Sequence, residues 1–306
     1  MSIYCCVANP ILFLKALVMV GLERDSWVTI TFSKNEVELH VEANNRNTTA
    51  TALLPRGIFS EYVVVETRLC VHLHTLLDAF FLLGLPALGA PTVRLTLVHP
   101  TPDGRLLVEL GGSHDGAEAG RTLQSQLLTR PVRARPLDLR FSDLPLVAAA
   151  APPGEALRDA LLDLAATQSG ETTLAMGGAE GVRLRGRGPH GNVEIVLPCQ
   201  VGNDLKREAF RPAWTRVQTL QFALACGCGR ATFALGGGAG GSGLSASLGA
   251  YGCGAGLVGS GGAGFEQLSL QINSQRQLSV VHESSEGMAK VTVRVVLNSL
   301  RSCDEF

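Results

Sequence analysis

Residues 27–42 read WVTITFSKNEVELHVE, and this stretch decides the fold class. Its first part, Trp27–Phe32, is rich in β-branched residues, and its last part, Val37–Glu42, alternates strictly between apolar and polar side chains. An alternation with a period of two places the apolar side chains on one face of a strand. With Ser33–Asn35 as the turn, the stretch predicts a β-hairpin that buries one face.

Further strands surround this hairpin in the first half of the chain, and two short helices interrupt them. One helix is predicted to follow Pro10 and to reach about Val20, because proline suits the first turn of a helix. The other is predicted over Thr75–Leu83, with Thr75 as its cap. The remaining strands of this half are predicted at Thr48–Leu54, Tyr62–Val65, Cys70–Leu73, Val93–Val98 and Leu106–Leu110.

The second half repeats this arrangement. Helices are predicted over Pro153–Ala166, which has an apolar stripe, and over Gln221–Ala225. The first helices of the two halves start about 143 residues apart, and the two helices within each half start about 65 residues apart, which predicts an internal duplication. The strands of this half are predicted at Leu137–Phe141, Leu146–Ala151, Thr172–Met176, Val182–Arg185, Val193–Leu197, Arg216–Leu220, Leu268–Ile272, Leu278–Val281 and Val291–Leu297.

These elements predict an α+β protein with two tandem domains, each built from curved antiparallel sheets and two short helices. The predicted limits are residues 1–128 and 137–306. Residues 129–136 contain two prolines and three arginines without periodicity, which indicates an extended linker. Residues 236–264 contain 14 glycines in 29 positions, which indicates a flexible loop of the second domain.

The composition excludes several classes of protein. Hydrophobic residues make up 46% of the 306 positions and charged residues 17%, which is typical of a chain with a sizeable core and not of a disordered one. The net charge of −1 excludes a polybasic nucleic-acid binder, although a local basic patch remains compatible with it. The eight cysteines contain no Cys-x-x-Cys pair, which favours free thiols in a reducing compartment. The apolar stretch Ile11–Leu22 is too short to span a bilayer, so no membrane segment is expected.

No catalytic, metal or cofactor site is predicted. The glycine tract matches G-x-G-x-x-G at residues 236–241 and 254–259, but neither match precedes a predicted helix, as dinucleotide binding requires. Each pair of potential metal ligands lacks a third ligand nearby. These pairs are His72 with His74, Glu36 with Glu38, and Cys226 with Cys228.

Short strings along the chain resemble the Rad-one subunit family of the nine-one-one checkpoint clamp, within the sliding-clamp superfamily. Their order and spacing carry the resemblance, which is strong in the first 110 residues and patchy after Pro198. The strings are Phe13–Leu17, Gly57–Tyr62, Leu76–Ala79, Leu137–Phe141, Glu155–Ala160 and Cys303–Glu305.

The resemblance implies a non-catalytic subunit of a heterotrimeric ring that encircles double-stranded DNA in the nucleus without reading its sequence. Its implied partners are Rad-nine-like and Hus-one-like subunits, a clamp-loader ATPase and repair enzymes, and it implies a role as a platform for checkpoint kinases. Two alternatives stay open: a 3′–5′ exonuclease, since this activity has been credited to some members of the family, and a replicative clamp that forms a homotrimer.

The resemblance also assigns DNA-facing positions. Lys15 and Arg158 are expected to face the DNA, although Lys15 could equally pack along the edge of its helix. Phe13, Leu14 and Val20 stand at places comparable to those where replicative clamps present lysines, so the lining is expected to be weakly basic.

In clamps, edge strands of neighbouring subunits pair, and the candidates here are Thr122–Leu128 and Val193–Leu197, the latter through Val193, Ile195 and Leu197. The alternative for the second candidate is an interior strand. The linker of a clamp also borders a groove for client peptides, and the alternative here is a plain solvated tether. The groove is expected to have an apolar lining of Leu127, Leu128, Pro131 and Val132 and a basic rim of Arg130, Arg133 and Arg135.

Overall fold

The computed structural model describes residues 3–8, 10–23, 25–81, 93–101, 103–112, 122–132, 136–177, 181–198, 212–228, 267–286 and 289–300. These residues form an α+β structure with antiparallel sheets and short helices, as predicted. The helices are α1 (Pro10–Met19), α2 (Leu73–Phe81), α3 (Gly154–Ala166) and α4 (Thr219–Ala225). The strands of the first half are β1 (Ile3–Val7), β2 (Trp27–Phe32), β3 (Glu36–Glu42), β4 (Thr48–Pro55), β5 (Phe59–Val64), β6 (Thr67–His72), β7 (Val93–His99), β8 (Leu106–Gly112), β9 (Thr122–Leu127) and β10 (Thr129–Pro131). Those of the second half are β11 (Leu146–Ala150), β12 (Glu171–Met176), β13 (Val182–Gly188), β14 (Gly191–Leu197), β15 (Ala213–Gln218), β16 (Gln267–Asn273), β17 (Leu278–Glu286) and β18 (Ala289–Leu297).

The chain divides by its internal packing into two compact units. The first comprises the described residues within Met1–Ala43, Ala50–Leu137 and Ser284–Val293. The second comprises those within Asn44–Thr49, Asp138–Glu283 and Arg294–Phe306. The predicted domain limits of 1–128, 129–136 and 137–306 stay a prediction.

The first unit contains a five-stranded sheet in the order β5-β1-β7-β8-β9 and a second run of strands in the order β10-β6-β2-β3-β4. The hairpin that decides the fold class is present, with Phe32 of β2 opposite Val37 of β3. Helices α1 and α2 pack against each other and against the five-stranded sheet. The rings of Phe13 and Phe80 stack between the two helices with centroids 5.6 Å apart, and both side chains are fully buried.

The second unit contains a four-stranded sheet in the order β14-β13-β12-β15, and its strands β11, β16 and β17 pair in that order. Helix α3 buries Leu157, Leu161 and Leu164 against this four-stranded sheet and against α4. Leu162, the fourth residue of the predicted stripe, is only half-buried. The helices of the two halves start 63 and 65 residues apart, so the repeated spacing is confirmed.

Three predicted elements are wrong in detail. Helix α2 begins at Leu73, so Thr75 lies inside the helix, where its hydroxyl contacts Nδ1 of His72 at 3.1 Å. Residues 137–141 form no strand, because Arg140 adopts a left-handed φ of 53°. The backbone N–H of Arg140 donates a hydrogen bond to Oδ1 of Asp138 at 2.8 Å, which closes a local turn. The strand predicted over Arg216–Leu220 is β15, which ends at Gln218, and α4 begins at the next residue, Thr219.

The predicted glycine-rich loop at residues 236–264 lies outside the described residues. Within the described residues, no helix has the length and apolar character needed to cross a membrane.

Candidate functional site

The five-stranded sheet of the first unit ends in strand β9. Thr122–Leu127 pairs along one side with β8, with Leu127 opposite Leu106, and the sheet order ends there in the part of the chain that the structure describes. Gln124 and Gln126 are exposed on β9, and the amide of Gln124 donates to Glu109 Oε1 at 2.7 Å. The first candidate for pairing with a neighbouring subunit is therefore a polar edge strand.

The four-stranded sheet of the second unit ends in strand β14. Ile195 lies opposite Leu184 of β13, and among the described strands β14 has no partner on its other side. Val193 and Ile195 are half-buried, whereas Leu197 is buried. Among the described strands Val193–Leu197 is therefore at the edge of its sheet, and its pairing with a neighbouring subunit stays a prediction.

The opposite end of the four-stranded sheet is different, because β15 is covered there. The backbone N–H of Leu300 donates to the backbone oxygen of Arg216 at 2.7 Å, and the Ser299 hydroxyl lies 3.5 Å from the same oxygen. These contacts occupy part of the outer side of β15. Of the two ends of this sheet, β14 is therefore the better template for another strand.

Ion pairs hold the side chains of β14 and β13 in place. The carboxylate of Glu194 lies 2.9 Å from Nη2 of Arg185 and 3.3 Å from Nη1 of Arg183. The hydrogen bond from Arg185 holds the pKa of Glu194 below its ordinary value. Because the side chains of an extended strand project from its two faces and not along its edge, these contacts do not themselves cover the outer backbone edge of β14.

The start of the predicted linker is part of a sheet. Thr129–Pro131 forms β10, with Arg130 opposite Cys70 of β6. The Arg130 guanidinium lies 3.8 Å from the ring centroid of Trp27, which is a cation–π contact. Leu128 is 71% exposed, Pro131 is exposed and Val132 is half-buried.

The residues predicted to line the client groove have different exposures. Leu127 belongs to β9 and has a buried side chain, so the exposed apolar side chains at this place are those of Leu128 and Pro131. Arg133 and Arg135 lie outside the described residues. The groove and its basic rim stay predictions.

The exposed surfaces of the helices are not basic. Lys15 is half-buried on α1 and Arg158 is exposed on α3, and their DNA-facing role stays a prediction. Against these two cations stand four exposed carboxylates in the described helices. They are Asp78 on α2 and Glu155, Asp159 and Asp163 on α3.

Three apolar residues in α1 or directly after it do not lie at the surface, where the resemblance placed them. Phe13, Leu14 and Val20 are fully buried, so they belong to the core and do not occupy places open to DNA. Sequence reasoning also missed the acidic surface of α3. A signal was available, since Glu155, Asp159 and Asp163 recur every four residues, the spacing of one helix face.

The candidate ligand pairs do not form a metal site in the described part of the chain. No three histidine, cysteine, aspartate or glutamate side chains converge there in a way that could hold an ion. His74 instead contacts Asp78 Oδ2 at 2.8 Å. Burial raises the pKa of Glu38, and Arg68, which lies on β6 across Thr31 of β2, opposes this shift.

Comparisons with known proteins identify the fold. No protein-family model and no curated protein sequence matches the chain. Among solved structures, PCNA from Thermococcus kodakaraensis is similar to it with a TM-score of 0.67 and 12% identity, covering 98% of this chain and 100% of that one. The proliferating cellular nuclear antigen of Entamoeba histolytica gives a TM-score of 0.69 and 12% identity, covering 98% and 99%. The chain therefore has the PCNA-like sliding-clamp fold that the sequence predicts.

Proposed function

We propose that this chain is a non-catalytic subunit of a heterotrimeric DNA clamp that acts in DNA-damage signalling and repair in the nucleus. The observation that carries the proposal combines two features of the described residues. Strands β9 and β14 end their sheets among the described strands, and carboxylates outnumber cations on the surfaces of the described helices. The first feature explains how the subunit joins others, and the second explains why its neighbours differ from it.

Ring closure follows from the open edges. Pairing β9 of one subunit with β14 of the next satisfies the backbone groups of both strands and joins different surfaces of successive subunits. Contacts of this head-to-tail kind close into a ring when the rotation between subunits is right. Each subunit then uses one strand from each of its two units.

The charge of the helices favours a heterotrimer over a homotrimer. In a sliding clamp the helices line the central hole, and duplex DNA carries one negative charge for about every 1.7 Å of its axis. Three identical copies would present twelve exposed carboxylates against six cations from the described helices, which repels DNA. We therefore infer that the attraction for DNA comes mainly from two other subunits, Rad-nine-like and Hus-one-like, and that a clamp-loader ATPase places the ring on DNA.

The platform role follows from the same assembly. A ring that holds DNA topologically needs no base readout, so its outer surface remains accessible to repair enzymes and checkpoint kinases. The 3′–5′ exonuclease has no observation in its favour among the described residues.

The test is the mass of the purified chain by light scattering, alone and with candidate partners. Alone, the chain is expected to scatter as a monomer of 32.2 kDa. With both partner subunits co-expressed, it is expected in an equimolar ternary complex that is retained on circular DNA and lost when the circle is cut. A stable homotrimer of the lone chain that is retained on circular DNA would contradict the proposal.

A further inference from the structure

The four-stranded sheet of the second unit has two different faces. Val182 and Leu184 of β13 are fully buried on the face that packs against α3 and α4. Arg183 and Arg185, which alternate with them, lie on the opposite face with side chains 33% and 56% exposed. This outer face lies on the side of the sheet opposite the helices and is separate from the strand edge proposed for ring closure.

Register brings a tryptophan and arginines around two small residues on this outer face. Ala175 of β12 lies between Arg183 of β13 and Trp214 of β15. In the next row, Thr173 lies between Arg185 and Arg216. The small central side chains leave a hollow of about 480 Å³ whose lining includes Trp214, Arg183 and Arg185.

A fixed turn holds another arginine over the tryptophan. The guanidinium of Arg276 lies 4.0 Å from the ring centroid of Trp214. The backbone oxygen of Arg276 accepts a hydrogen bond from Thr215 at 2.5 Å. The buried amides of Asn273 and Gln277, 2.6 Å apart, close the turn that carries it. These contacts hold the Trp214 ring and the Arg276 guanidinium in place without a bound ligand.

The described residues of this face carry an excess of positive charge. The two glutamates among them, Glu194 and Glu171, are each engaged with an arginine, at 2.9 Å from Arg185 and 3.1 Å from Arg216. Each guanidinium has five N–H donors, which is more than a single carboxylate can accept. The five arginines are Arg183, Arg185, Arg187, Arg216 and Arg276.

We propose that this outer face binds an acidic, extended peptide segment of a partner protein, with one apolar side chain of the peptide in the hollow. The carboxylates of the peptide pair with Arg183, Arg185 and Arg276. Alternate side chains of β13 are about 6.6 Å apart, which is also the spacing of alternate side chains in an extended peptide. The volume of the hollow lies within the about 300–1,000 Å³ range of sites that hold small ligands, so it accommodates an anchoring side chain.

The chemistry favours a peptide over a nucleic acid. Glu194 and Glu171 lie within the arginine rows, where they would repel every phosphate of a bound strand. A peptide can place neutral residues next to these two glutamates and carboxylates next to the arginines. This inference does not depend on ring assembly, since all the residues involved belong to one unit of one chain.

The experiment measures fluorescence anisotropy of a short fluorescein-labelled peptide in which glutamate alternates with threonine around a central leucine. The full chain is expected to bind it with an affinity that falls as salt rises. R183E is expected to weaken binding about tenfold or more, because it replaces a charge-assisted hydrogen bond by repulsion. W214A is expected to weaken it about tenfold through loss of the apolar wall.

Matched controls separate this site from general electrostatics. R105E removes an exposed arginine of the first unit, and L220A removes an apolar side chain on α4 that is exposed to a similar degree as Trp214. Both are expected to bind the peptide within twofold of the wild type, and thermal unfolding confirms that R183E and W214A remain folded. A glutamine version of the peptide is expected not to bind.

Three outcomes would overturn the proposal. One is equal binding by R183E and R105E. Another is binding of the glutamine peptide with the same affinity as the glutamate peptide. The third is tighter binding of a labelled oligothymidine than of the acidic peptide, with the same sensitivity to R183E and W214A, which would assign the face to single-stranded nucleic acid.

Discussion

Nε2 of His282 lies 2.7 Å from the backbone oxygen of Ala225, the last residue of α4. A carbonyl oxygen can only accept a hydrogen bond, so Nε2 carries the proton and donates the bond. The acceptor is one of the carbonyl oxygens at the end of a helix, which have no partner within the helix. His282 is 5% exposed, and this burial lowers its pKa from the ordinary value of 6.5, although the bond to Ala225 acts in the opposite direction. The folded chain therefore keeps this imidazole neutral.

The neutral imidazole predicts a loss of stability in mild acid. The unfolded chain takes up a proton at His282 near pH 6.5 and the folded chain does so only at lower pH, so the stability contribution is present above 6.5 and falls below it. We expect His282 to lower the stability as the pH falls from 6.5 to 5.5, by at most about 1 kcal/mol. Urea unfolding of the wild type and H282Q across this range measures the difference. An equal pH dependence in both proteins would contradict the assignment.

Gly188 at the end of β13 is expected not to tolerate alanine. A Cβ at this position would overlap the backbone oxygen of Thr167, which follows α3, and a backbone atom cannot rotate away as the end of a side chain can. G188A is expected to lower the free energy of unfolding by about 1–3 kcal/mol through this overpacking. G154A is the matched control, since a Cβ there has nothing within 4 Å. Urea unfolding of both variants is the measurement, and equal effects would show that the hairpin relaxes away from the helix.

The edge of β14 can be tested with prolines at two neighbouring positions. Adjacent residues of a strand direct their N–H groups to opposite sides, so of E194P and I195P one removes a bond to β13 and the other removes an outward donor. The outward variant is expected to keep a melting temperature near that of the wild type and to lose one partner subunit while retaining the other. Copurification with both tagged partners is the measurement, and I195V is the control. Retention of both partners by both proline variants would exclude β14 from the interface.

The acidic surface of α3 predicts a gain of DNA binding when it is neutralised. The double variant D159N/D163N removes two exposed carboxylates without changing the shape of the helix. In the assembled ring, its affinity for a short duplex is expected to rise about fivefold at low salt, with the gain disappearing at high salt. D103N, in the turn before β8, is the control. Equal affinities of the double variant and D103N would show that α3 does not face DNA.

The sequence was sufficient for the elements with clear periodicity. The alternation in Val37–Glu42 and the apolar spacing of Leu157, Leu161 and Leu164 each describe a surface with one buried face, and burial is what fixes these elements. Repeated spacing of the helices then predicted the duplication and, with it, the fold class. The edge position of Val193–Leu197 followed from the resemblance, and alternation alone could not distinguish it from an interior strand.

The errors arise where one residue decides the backbone. Leu137–Phe141 has a strand-like composition, but the left-handed Arg140 interrupts it, and the sequence contains no glycine or asparagine there to indicate that conformation. The hollow beside Trp214 could not be predicted either, because it depends on the register of β12, β13 and β15 and on a turn about 60 residues away. Pairings between distant strands are invisible to local patterns.

In the proposed ring, β9 and β14, which end their sheets among the described strands, also affect how a cell must handle this chain before the ring forms. A newly made copy presents two templates to which any extended segment can attach, including those of other copies. We therefore expect its yield to depend on coordinated synthesis of the subunits that cover these strands. Copies made in excess are expected to become clients of chaperones and proteases, so that the amount of the chain in the cell follows the amount of its scarcest partner.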